Sequence, residues 1–219
     1  MRFEKALGEY ETWRANNEGE SDYKERPSPP KRNLQMETLV GVLKGEILVH
    51  NHCYRADEMA QIIDLSREFG YQVTAFHHAV EAYKIGDLLA ANNICSAMWA
   101  DWWQFKLESF DGIKENVAMV QAAGACAIVH SDSATGIQRL NQEAAKAMAA
   151  GQRLGLRVDA SVALTWITRN AAQALGVADQ TGTLAVGKMA DMVLWSHPPM
   201  SVYARAETVF IDGVRRLDR

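Results

Sequence analysis

Two hydrophobic rhythms alternate along the middle of this chain. Short apolar runs at residues 47–53, 72–78, 94–100 and 125–132 predict strands, and between them residues 56–69, 81–92 and 113–123 carry apolar positions at helical spacing. Gly70 and Gly124 follow two of these helical stretches, where a helix end commonly needs a left-handed residue. Strands separated by helices of this length predict right-handed βαβ units and a parallel sheet of four strands.

The flanks break the rhythm. Residues 2–14 place Phe3, Leu7, Tyr10 and Trp13 near helical spacing, residues 16–32 read as a polar, Pro-containing loop, and residues 34–43 read as a helix closed by Lys44 and Gly45. Beyond Asp132, residues 134–155 and 160–176 each read as one helix, the second stopping at Gly176. The tail then turns to strand-type alternation over residues 181–196 and 206–217, where Asp212-Gly213 is a strong hairpin signal.

Composition narrows the class. With 219 residues, 48% hydrophobic and a formal charge of -4, the chain has the make-up of an ordinary globular protein with room for a substantial core. Lys and Arg are dispersed, so no nucleic-acid footprint appears, and the apolar runs are too short to span a membrane. The charged start, MRFEKALGEYETW, is unlike a signal peptide, so a cytoplasmic location is expected. Cys53, Cys95 and Cys126 show no CxxC spacing and fall in predicted strands, so three buried thiols are expected, with no disulfide.

Candidate chemistry sits at strand ends. His52, His78 and Asp132 each close an apolar run that precedes a helical pattern, so parallel strands would aim two imidazoles and a carboxylate at one point, as a divalent-metal site requires. His50, His77 and His130 are expected to be hydrogen-bonded core or loop residues, and His197 a loop residue. Tyr54 and Arg55 lie just past a ligand; the guanidinium would either hold a substrate carboxylate or pair with Asp57 or Glu58. Trp99, followed by Trp102 and Trp103, would either wall a substrate cleft or pack the loop.

These segments together resemble the amidohydrolase superfamily, in particular its imidazolonepropionase-like branch. HNHCYRADEM is similar to the family's fifth-strand segment, HHAVEAYKIGDLLA to the sixth, and IVHSDSA to the eighth with its aspartate. ITRNAAQALGV, TGTLAVGKMADMVLW and VFIDG are similar to the closing signature, where the family's chain leaves the barrel for a small β-sandwich. The family's first-strand His-x-His pair has no counterpart: the single His-x-His here, His50-Asn51-His52, falls in the fifth-strand segment.

The resemblance implies an α/β fold comprising half of a TIM-type (β/α)8 barrel, strands five to eight with their helices, followed by C-terminal strands of a β-sandwich. The expected division is residues 1–178 for the partial barrel and 179–219 for the sandwich strands. It implies a metal-dependent hydrolase of non-peptide carbon–nitrogen bonds, cyclic amides among them, using zinc or another divalent ion held by His52, His78 and Asp132, with Asp132 as general base. Tyr54, Arg55 and Trp99 would contact a small-molecule substrate. A homo-oligomer covering the open barrel edges is expected, because uncovered sheet edges invite pairing; the alternative to the enzyme is a catalytically inactive, metal-poor half-barrel that self-associates or needs a separate N-terminal half.

Overall fold

A computed structural model describes residues 2–18 and 27–218. The chain divides into two compact units, one of residues 1–48 and 66–72, the other of residues 49–65 and 73–219. The first unit holds helices α1 (Arg2–Asn17) and α2 (Leu34–Leu43). Asn33 caps α2 by accepting a hydrogen bond from the Met36 amide, and Gly45, at φ 74°, ends it as predicted. Residues 19–26 of the loop predicted at 16–32 lie outside the described residues.

The second unit is built on strands β1 (Val49–Cys53), β2 (Val73–His78), β3 (Cys95–Met98) and β4 (Cys126–Val129), parallel and in sequential order. Helices α3 (Ala56–Phe69), α4 (Gly86–Ala91) and α5 (Asn116–Ala122) connect them, as the alternating pattern predicts. The later segments are more broken than expected. The 81–92 helix splits into a 3-10 turn (Ala82–Ile85) and α4, and 134–155 splits into a 3-10 turn (Gly136–Arg139) and α6 (Leu140–Arg153). Residues 160–176 become α7 (Ala160–Thr165) and α8 (Arg169–Ala174), parted where the Val129 amide donates to the Trp166 carbonyl and Trp166 is fully buried. Strands β5 (Met192–Trp195), β6 (Ala206–Ile211) and β7 (Val214–Asp218) form a separate antiparallel sheet. Asp212 and Gly213 both take positive φ, the backbone of a two-residue hairpin turn.

Register orders the parallel sheet into rows. His50, Ala75, Cys95 and Cys126 are cross-strand partners, and one step toward the carboxyl ends so are His52, His77, Ala97 and Ile128. Partners in a parallel sheet share a face, and the middle of this one is a small-residue core of Ala75, Cys95, Ala97 and Ile128 closed by Ala171 and Ala174. Polarity then rises toward the carboxyl ends, where Trp99 and His130 continue the last two strands.

The cysteine expectation is corrected here. Cys95 and Cys126 form a disulfide, and only Cys53 is a free, buried thiol. The two residues are 31 apart in sequence, so no local spacing rule reveals them; β3–β4 pairing makes them register partners. Among the described residues no helix is long and apolar enough to cross a membrane.

Candidate metal centre

The centre grows out of the carboxyl end of β2. His77 and His78 are consecutive, so a continuing strand would send them to opposite faces. The chain turns instead, with His78 at φ 70° and Ala79 at φ 40°, a left-handed pair in residues that carry a Cβ. The His78 ring thereby lies among residues from the ends of the other three strands: His52 at 4.4 Å, Trp99 at 4.3 Å, Tyr54 at 5.0 Å and His130 at 5.2 Å between ring centroids.

Buried hydrogen bonds hold this turn. The Ala79 amide donates to the Cys53 carbonyl and the Glu81 amide to the Tyr54 carbonyl. Glu81, itself buried, accepts from the Ala56 amide at the start of α3. Asn116, at the start of α5, donates through Nδ2 to the carbonyls of Ala79 and Val80 and accepts through Oδ1 from the Tyr83 amide. Asn116 has no motif and escapes sequence reasoning, since its role depends on α5 passing beneath the turn.

His78, His130 and Asp132 each present a ligand atom, and these atoms all lie within 4.8 Å of one another. His78 Nδ1 is 3.7 Å from an Asp132 carboxylate oxygen. Two imidazole nitrogens in the group, His78 Nδ1 and His130 Nε2, are buried and have no hydrogen-bond partner. Burying such atoms unpaired costs on the order of 1–3 kcal/mol each, which a metal ion accepting their lone pairs offsets. Burial holds both rings neutral, His78 and His130 each shifted down to about 4; neighbouring histidines add to this, and Asp132 opposes it. Neutral imidazole is the form that binds metal. The donor set therefore fits a divalent ion.

Of the three ligands read from the sequence, His78 and Asp132 belong to this group, and His52 adjoins it as an exposed ring against His78. His130, read as a core or loop histidine, is the third member. The sequence did hold its signal, a position two residues before Asp132 at a strand end. Its backbone extends the β4 ladder by donating to the Met98 carbonyl, and its ring stacks on Trp99 at 5.3 Å.

His50 and His77 pair below. His50 Nε2 lies 2.8 Å from the Ala174 carbonyl, so that nitrogen carries the proton, and His50 Nδ1 accepts from His77 Nε2 at 2.9 Å. Both rings are hydrogen-bonded, as expected, but neither is a core group: His50 is exposed and His77 half-buried. His197 is the expected loop residue, its ring against the Ser196 hydroxyl.

Tyr54 and Trp99 are buried beside the ligands, both stacked on His78. Arg55 meets Asp57 through two hydrogen bonds, of 3.0 and 3.2 Å, near the start of α3. Trp99 extends the stack outward to Trp102 and Phe105, which are 44% and 56% exposed.

Comparison with known proteins agrees with this arrangement. The profile of the amidohydrolase family matches residues 46–215. The amidohydrolase tasK of Hapsidospora irregularis is 31% identical over 191 residues, 85% of this chain and 19% of that protein. An imidazolonepropionase of Brucella suis biovar 1 is 30% identical over 166 residues, 64% of this chain and 38% of that protein. The crystal structure of an amidohydrolase from Thermotoga maritima MSB8 superposes with a TM-score of 0.78 at 29% identity, covering 98% of this chain and 54% of the other. The chain thus spans about half the length of that solved relative and less of the two curated ones. By the matched profile, the ordered strands and the ligand group at their carboxyl ends, this chain belongs to the amidohydrolase family.

Proposed function

We propose that this chain takes part in metal-dependent hydrolysis of non-peptide carbon–nitrogen bonds, cyclic amides or related groups, with His78, His130 and Asp132 as ligands and His52 adjacent. The observation that carries the reading is the convergence of these three side chains with two buried, unpartnered imidazole nitrogens. Imidazole and carboxylate donors suit zinc. A divalent ion there would acidify an attacking water and polarise the scissile carbonyl. His78 and His130 would hold the ion through neutral nitrogens. Asp132, half exposed at 54%, would take the proton from that water and return it to the leaving nitrogen. Trp99 and Tyr54 pack against the His78 ring and bury it.

In this reading the parallel strands are half of a barrel, residues 1–178, and β5–β7 belong to a sandwich, residues 179–219. The exposed Val193, Ile211 and Val214 of that small sheet support an uncovered sandwich face. Calorimetric zinc titration of the chelator-treated chain, with hydrolysis assays on cyclic amides and acylated amines, tests the reading. One zinc per chain with zinc-dependent turnover is expected, and failure to bind zinc would overturn it.

The sheet order supports a second reading. β1 and β4 are its edges, and an edge strand left bare invites pairing. In this reading the chain is an inactive half whose edges are covered by a second copy of itself or by a separate N-terminal half. Sedimentation analysis showing an oligomer without zinc-dependent turnover would favour it, and an active monomer would exclude it.

A further inference from the structure

Beside the ligand group stands a cation without a carboxylate. Lys106 Nζ lies 3.8 Å from the centroid of the Tyr54 ring and 5.6 Å from that of Phe105. Among the described residues it enters no ion pair with a carboxylate, whereas Lys84 and Lys146 pair with Asp111 and Asp101. The Tyr54 ring under it stacks on His78 at 5.0 Å, so the ammonium is no more than about 9 Å from a candidate metal ligand, the sum of those two separations. Arg55, another cation near the site, is engaged by Asp57.

The surface between this ammonium and His78 is aromatic. Trp99 stacks on His78, Trp102 stacks on Trp99 at 5.7 Å, and Phe105 meets Trp99 edge-on at 5.6 Å. Trp102 and Phe105 keep large exposed faces on this loop. Gly112 holds the loop close, since a Cβ there would come within 2.4 Å of Trp103 Cβ. An apolar wall running from a metal ligand to one unpaired ammonium matches a molecule with an apolar body and an anion at its far end.

We infer that the site takes substrates in which an apolar or aromatic body separates the scissile carbon–nitrogen bond from a carboxylate, with Lys106 receiving the carboxylate and Trp102 and Phe105 the body. The inference rests on the hydrolase reading for the reaction but is tested by binding alone. Lys106 is exposed, so replacing it leaves the core intact. The full chain, chelator-treated so that no metal attracts carboxylate, is titrated with 3-phenylpropanoate and with its neutral amide, following tryptophan fluorescence. The carboxylate is expected to bind about fivefold more tightly than the amide, the scale of one partly desolvated charge pair. That preference vanishes in Lys106→Met and survives in Lys106→Arg. An equal preference in Lys106→Met, or no binding of either probe, would overturn the inference. A chain that shows the preference yet binds no zinc would instead leave this subsite standing and remove the hydrolase reading.

Discussion

Asn116 offers the sharpest test of how the ligand turn is held. Its side chain is 4% exposed and makes three hydrogen bonds, to the Ala79 and Val80 carbonyls and from the Tyr83 amide. Asn116→Ala leaves all three backbone groups without that partner. At about 1 kcal/mol net for each bond, and more for any group that water cannot reach, the loss comes to about 3 kcal/mol. A typical domain has only about 5–15 kcal/mol in total. Asn116→Asp should do no better, since it keeps an acceptor for Tyr83 but sets a carboxylate oxygen against two carbonyls. Urea unfolding of the metal-free chain, followed by circular dichroism, reads the stability. Because the freed segment begins directly after His78, zinc affinity should also fall about 10- to 100-fold. A destabilisation under about 1 kcal/mol with unchanged zinc affinity would refute the argument that this residue holds the turn.

Other outcomes follow from the same geometry. Asp132→Asn should lower zinc-dependent hydrolysis by about a hundredfold or more while leaving the unfolding midpoint of the metal-free chain nearly unchanged, because the carboxylate is half exposed; retained activity would remove Asp132 from the chemistry. The metal-free chain should lose stability as pH falls below about 6.5 and level off near 4. In that window the unfolded chain binds protons that buried His78 and half-buried His130 refuse, so stability that is full above 6.5 drains as pH drops; a flat urea midpoint between pH 7 and 5 would contradict the desolvation of these rings. Thiol titration in denaturant should find one reactive cysteine before reduction and three after it, and three at the outset would contradict the Cys95–Cys126 bond.

Much of this protein was legible in its one-dimensional pattern. The alternation of short apolar runs with helical spacing is periodic and local, so the four parallel strands, α3 at its full length, the glycine-ended helices and the Asp212-Gly213 hairpin could all be read directly. His78 and Asp132 were legible for the same reason, since a strand end is a local feature. Other features required the chain to be folded. The split of residues 160–176 follows from Trp166 being drawn into the core, and the disulfide follows from β3 lying beside β4. His130 joined the candidate ligand group only because the left-handed turn at His78 set the His78 ring across the strand ends toward it, and Lys106 gained meaning only from the Tyr54 ring beneath it. Sequence patterns report which way a residue faces along its own element. Which atoms meet across elements depends on register, on turns that break the period and on contacts between residues tens of positions apart, and those exist only in three dimensions.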